Sequence, residues 1–181
     1  FLPYARDPRT LVRPWALPGT PGLEHRVGGL EKSDGAGNVS YDPGNHERMV
    51  RLRAEKVDRV AEDIPDLQVD GDGGSGLLVV GWGSTKGAID EALEIVRHDG
   101  HQISALHLRF LQPMASGIGD ILRRFKRILT VEINYSDEVD GDIITEENRR
   151  FSNLAWLLRA RYLVDVQCFS QVHGEPLKPA D

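Results

Sequence analysis

The chain has 181 residues, of which 40% are hydrophobic and 28% charged, and a formal net charge of -6. That length holds one full-sized domain with material left over, and the acidic balance argues against a nucleic-acid binder, which carries a basic surplus or stripe. No apolar run reaches the roughly 20 residues that span a bilayer, and the lone Cys168 excludes an internal disulfide or a multi-cysteine metal site within the chain. A single thiol fits a reducing cytoplasm. The chain starts at Phe1 with no basic-then-apolar leader after it, so a preceding segment is expected.

Residues 1–44 hold six of the ten prolines and seven of the nineteen glycines and show no sustained period. Breakers at that density keep a segment from building its own core. Phe1, Leu2, Tyr4, Leu11, Trp15, Leu17 and Leu23 are costly to leave in water, which predicts an extended arm packed on a partner or a missing domain. Residues 45–76 read as a helix and a connector. In "NHERMVRLRAEKVDRVAEDI", Met49, Leu52, Val57, Val60 and Ile64 recur at helical spacing, with Asn45 as N-cap and Pro65 as terminator. "DLQVDGDGGSG" then reads as a flexible acidic loop.

From residue 77 to 181 the pattern is regular. "LLVVG", "QISALHLRF", "RILTVEI" and "LVDVQCF" are strands. Between them lie a helix with Ile89, Ala92, Leu93 and Val96 on one face, a short helix in "SGIGDILRRF", and a third in "FSNLAWLLRARY". The basic runs "RLRAEKVDR" and "LRRFKR" are short and read as solvated helix faces. Alternation of this kind predicts an α/β fold: a Rossmann-like, mostly parallel sheet with helices on both faces.

The corner between the first strand and helix, "GWGSTKG", is the main candidate site. A dinucleotide fingerprint wants Gly-x-Gly-x-x-Gly. Gly81 and Gly83 fit, but Lys86 takes the third position, and Arg109 stands where an acid for the ribose would end the second strand. A phosphate-binding P-loop fails too, since the order is Ser-Thr-Lys-Gly. Two readings remain. Helix-end amides beside Gly81, Gly83, Ser84 and Thr85 hold an anion, or the glycines only permit the turn while Ser84 or Thr85 caps the helix.

Of the six histidines, His25, His46, His98, His101, His107 and His173, none shows metal-ligand spacing apart from His98 and His101, which straddle a helix-ending glycine, and all read as exposed polar residues. Glu132 ends the third strand, at the edge where α/β sheets place ligands. It reads equally as a helix-end or turn hydrogen-bond acceptor. Cys168 lies in an apolar strand and reads as core. The residues name no nucleophile, paired acids or other catalytic group. They leave open an independent nucleotide- or anion-binding module, or a structural interaction domain.

Several phrases, in order, resemble one family: "FLPYARDPRTLVRPWALPGTPGLEHRVGGLEK", "GNVSYDPGNHERMVRLRAEKV", "LVVGWGSTKGAIDEAL", "ALHLRFLQPM", "VEINYS" and "LLRARYLVDVQCFSQVHGEPL". Together they are similar to the C-terminal part of the alpha subunit of a 2-oxoacid:ferredoxin oxidoreductase, of the 2-oxoglutarate type. Residues 77–181 would be its transketolase C-terminal-like domain. The resemblance implies thiamin diphosphate and magnesium bound between a pyrimidine-binding domain preceding Phe1 and a separate beta subunit, which also brings a [4Fe-4S] cluster. It further implies oxidative decarboxylation to an acyl-coenzyme A, electrons passed to ferredoxin, and a non-catalytic role for this chain. Any ligand contact would fall on Gly81, Gly83, Ser84 and Thr85, with coenzyme A as the ligand. Glu132 and Asn134 match the family's Glu-x-Asn. The Gly-Gln pair that usually follows is replaced by "SDEVDGDIITEENRR", residues 136–150, an insertion with six acids that is expected to be an exposed loop.

Overall fold

A computed structural model describes residues 1–74 and 76–180; Ser75, in the acidic connector, and Asp181 lie outside the described residues. The chain divides into two compact units, residues 1–64 and 65–181.

The first unit is built on α1, Pro43–Arg59. The helix starts two residues before the expected Asn45. Asp42 is the N-cap, its carboxylate accepting the Asn45 N–H at 2.6 Å, with Pro43 just inside, where a missing N–H is harmless. Asn45 is inside the helix, and its side chain reaches the preceding segment instead. It donates to the Lys32 carbonyl at 2.9 Å and accepts the Asp34 N–H at 3.0 Å. Residues 1–42 contain turns and isolated bridges, Tyr4 to Gly35 and Lys32 to Val39. Arg59 donates to the carbonyls of Pro8, at 2.8 Å, and Arg9. Glu31 binds Arg53 and His46, whose hydrogen bonds lower its carboxyl to about 2. Apolar packing is thin: Leu11 and Met49 are buried, whereas Trp15 and Leu17 are exposed. A 3-10 turn, Val60–Asp63, follows α1 and stops before Pro65.

The second unit is a five-stranded sheet of order β1-β3-β2-β4-β5. Its members are β1 Val69–Asp70, β2 Leu77–Trp82, β3 Ile103–Leu108, β4 Arg127–Glu132 and β5 Gln167–Ser170. Four strands are parallel, and β1 runs antiparallel on β3. The helices are α2 Lys86–His98, α3 Ile118–Arg123 and α4 Asn153–Tyr162. Alternate strand residues point to opposite faces, and the core divides accordingly. Leu78, Val80, Leu106, Leu108 and Ile128 pack with α3 and α4, while Val79 and Ala105 pack with Ile89 and Leu93 of α2. The expected α/β layers are present.

The connector read as a loop contains β1. Leu67 and Val69 pack against the larger core, and two of its acids have partners distant in sequence. Arg97 reaches Asp70 at 2.9 Å, and the Ser104 hydroxyl donates to Asp72 at 2.9 Å.

Candidate functional site

Sheets of this type place ligands at the carboxyl ends of the strands, where the winding direction reverses. Here the chain leaves β2 for β3 on one side and returns to β4 on the other, so the reversal lies between β2 and β4. Gly81 is in register with Val131, which sets the glycine turn beside Glu132.

At the glycine turn, three of the four expected residues, Gly81, Gly83 and Thr85, have a definite structural role. A Cβ on Gly81 would stand 2.3 Å from Cδ1 of Ile89 and 2.9 Å from Oγ1 of Thr85, so the glycine lets α2 approach the strand. Gly83 has φ +62°, a left-handed conformation that favours glycine. A 3-10 turn, Gly83–Thr85, leads into α2. The capping expected of Ser84 or Thr85 is not formed. Thr85 occupies the cap position with helical dihedrals, and its buried hydroxyl donates back to the Trp82 carbonyl at 3.0 Å. Ser84 is exposed, and Lys86 pairs with Asp90 at 2.5 Å. Of the four turn residues, Ser84 alone presents a side-chain polar group to solvent.

Glu132 does the opposite. It is fully buried at the end of β4 and points to the first turn of α4. Its carboxylate accepts the Leu154 N–H at 2.9 Å, the Ala155 N–H at 3.1 Å, the Ser152 hydroxyl at 2.5 Å and the Asn134 amide at 2.9 Å. Burial alone would raise its pKa, but these donors together hold it below the usual carboxylate range. Of its two readings the helix-end acceptor is the one observed. Thr130, on the same face, is buried with its hydroxyl 3.5 Å from that of Ser152.

His107 differs from the expected exposed histidine. It is half-buried beside Gly81 in the register, its Nδ1 is buried without a partner among the described residues, and burial followed by the nearby Lys86 lowers its pKa. The other five histidines are exposed. Cys168 is half-buried against the core, with an Arg149 N–H 3.7 Å from its sulfur. Arg109 is exposed.

The insertion is exposed over most of its length but closed at its neck. Asp137 is buried, its N–H donates to the Arg150 carbonyl at 2.9 Å, and its carboxylate accepts Arg150 Nη2 at 2.7 Å. The hydrogen bonds from Arg150 hold the Asp137 carboxyl far below its ordinary range. Farther out, Asp140 accepts the N–H groups of Asp142, Ile143 and Ile144.

Among the described residues, no group of three or more His, Cys, Asp or Glu side chains is arranged to hold a metal ion. With one cysteine in the chain, these residues do not fit an iron–sulfur cluster. No helix among them is long and apolar enough to cross a membrane.

No protein-family profile matches the chain. It is 45% identical over 175 residues, 96% of its length, to the 2-oxoglutarate oxidoreductase subunit KorA of Mycobacterium tuberculosis. The chain is homologous to the alpha subunit of 2-oxoglutarate:ferredoxin oxidoreductase. It is also 32% identical over 141 residues, 74% of the chain, to the 2-oxoacid:ferredoxin oxidoreductase 1 alpha subunit of Aeropyrum pernix. A solved 2-oxoglutarate:ferredoxin oxidoreductase from Magnetococcus marinus, with 2-oxoglutarate, coenzyme A and succinyl-CoA bound, superposes over 98% of the chain with a TM-score of 0.78 and 26% identity. The match spans 28% of that structure's chain, and 24% and 22% of the two alpha-subunit relatives. The chain thus covers about a quarter of the oxidoreductase subunits it resembles. The α/β layers are those of this oxidoreductase neighbour.

Proposed function

We propose that this chain is a non-catalytic portion of the alpha subunit of a thiamin diphosphate-dependent 2-oxoglutarate:ferredoxin oxidoreductase working in the cytoplasm. The enzyme would decarboxylate the 2-oxoacid oxidatively, form an acyl-coenzyme A and reduce ferredoxin. Thiamin diphosphate, magnesium and the [4Fe-4S] cluster would be held by a preceding pyrimidine-binding domain and a beta subunit. The described residues themselves lack a donor set for a metal or a cluster.

The observation that carries the non-catalytic reading is the state of Glu132. It is the buried acid at the carboxyl edge of the sheet, and both its oxygens are occupied by donors from Ser152, Asn134 and the first turn of α4. A carboxylate so engaged, with its pKa depressed, is poorly suited to accept or deliver a proton near neutrality. The domain would serve as scaffold. Its arm, residues 1–44, would lie against the rest of the subunit or its partner, burying Trp15, Leu17 and Leu23. If the edge touches coenzyme A, the contact falls on the Gly81, Gly83, Ser84 and Thr85 turn, where Ser84 is the free side chain.

The test is to isolate the enzyme with its companion subunit and follow viologen dye reduction driven by 2-oxoglutarate and coenzyme A. Activity that needs both substrates is expected, and its absence from a cofactor-loaded complex would sink the reading. Ser84→Ala should raise the KM for coenzyme A without changing that for 2-oxoglutarate. An unchanged KM would remove the turn from the ligand site.

A further inference from the structure

The two faces of the sheet are covered unequally. Helices α3 and α4 pack on the Leu78 face, and α2 packs on the Val79 face. Right-handed crossovers require this, because the chain steps one way from β2 to β3 and the other way from β3 to β4 and on to β5. A helix is about 10 Å wide and strands lie about 4.8 Å apart. Helix α2 therefore covers β2 and β3, which it contacts, and leaves β4 and β5 to something else. Leu129 is in register with Val79, and Phe169 with Val131, so Leu129, Val131 and Phe169 face that strip. All three are half-buried, whereas Leu78, Val80 and Ile128 on the opposite face are buried.

The segment after β5 comes over this strip. Its root is fixed, since the Gln171 N–H donates to the Glu132 carbonyl at 3.2 Å. Beyond the root, no backbone hydrogen bond among the described residues ties residues 172–180 to a strand. The segment lies over the strip through Leu177 and Pro179, both half-buried. It does not fill the space beneath it. A slot of about 260 Å³ remains, bordered by Ala88 and Ala92 of α2, Val131, Phe169 and Leu177.

Protein interiors hold few voids larger than a water, and an apolar cavity of about 150 Å³ already stays dry and takes up benzene. A segment that served only as packing would close such a space. Left open, it forfeits dispersion contacts that an apolar guest restores. The lining sets the chemistry of that guest. Its one charged side chain, Lys178, lies on the segment itself and pairs with Glu175 at 3.9 Å. A polar guest would lose its water without gaining partners among the aliphatic and aromatic side chains around it.

We propose that this slot is a binding site for a small apolar molecule of about naphthalene size, with residues 172–180 as the lid that lifts to admit it. The site lies within one compact unit and depends neither on the proposed chemistry nor on a partner subunit.

The experiment is equilibrium dialysis of naphthalene against the intact protein, isolated with any companion subunit. The wild type is compared with Ala92→Leu and Ala88→Leu, each of which extends a side chain into the slot from a helix that tolerates leucine. The wild type should take up one equivalent per chain more than either variant, and the variants should unfold at the same temperature or higher. Equal uptake overturns the inference, including the case in which another part of the subunit already fills the slot. Uptake lost only in variants that unfold at lower temperature overturns it too, because the loss then follows damage to the fold. Leu177→Ala should speed naphthalene release about tenfold in stopped flow, since such changes act mostly on the off-rate. An unchanged release rate would show that the segment is not a lid.

Discussion

The corners that follow β2 and β4 both deliver the chain from the carboxyl edge of the sheet into a helix, and they treat the helix start in opposite ways. Any helix begins with N–H groups that lack an intrahelical partner. After β4 a buried glutamate takes two of them and a serine hydroxyl besides. After β2 no side chain takes any: Thr85 turns its hydroxyl back to the strand, and Ser84 stays in solvent. The corner after β4 is sealed and should govern stability. The corner after β2 is held by backbone geometry and close packing, and its polar groups are left available.

The largest expected effect is therefore at Glu132. Glu132→Ala strands four donors in a buried site and should cost about 3 kcal/mol or more, read by denaturant unfolding. Glu132→Gln keeps the shape and should cost less. The pair also reports on charge. A carboxyl whose folded pKa is depressed contributes fully above its unfolded value, about 4.3. That contribution is lost as pH falls toward the lower folded value. The wild type should thus lose stability over that acid range relative to Glu132→Gln. Identical acid profiles would mean that the buried group is not ionised in the fold.

At the open corner the effect should come from packing. Gly81→Ala pushes a methyl group into Ile89 Cδ1 and should cost about 1–3 kcal/mol, as overpacked cores do. Ile89→Val removes the atom that is struck, so the double variant should recover part of the loss. Full additivity would show that the helix does not rest on the glycine. The smallest change is at Ser84. Ser84→Ala should alter stability by no more than about 0.5 kcal/mol, the range of an uninvolved surface position. A loss near 1 kcal/mol would reveal a cap at this corner after all.

Much of the β-sheet unit was legible in the sequence because its strands are short apolar runs and α2 keeps a clean apolar stripe. Local signals are less even. Asp42 followed by Pro43 is itself an N-terminal signature, and it outranks the Asn45 that helical spacing favours. β1 is two residues long and exists through pairing with β3, more than thirty positions away, so no local period announces it. The duty of Glu132 was half legible: its place at a strand end shows, but the helix it serves begins beyond a long insertion. That Nδ1 of His107 has no partner among the described residues is a matter of packing alone.

The clamp between Asp137 and Arg150 has a consequence for how freely this chain can vary. Because the two ends are fastened to each other, the span between them can change without disturbing β4 or α4. Closing a longer span costs only about 0.6 kcal/mol for each doubling of its length. The region is thus a natural grafting point, where a foreign peptide or affinity epitope could be exchanged for residues 138–148, short of the Arg149 that packs on Phe151, while the glutamate behind it keeps its hold on the helix.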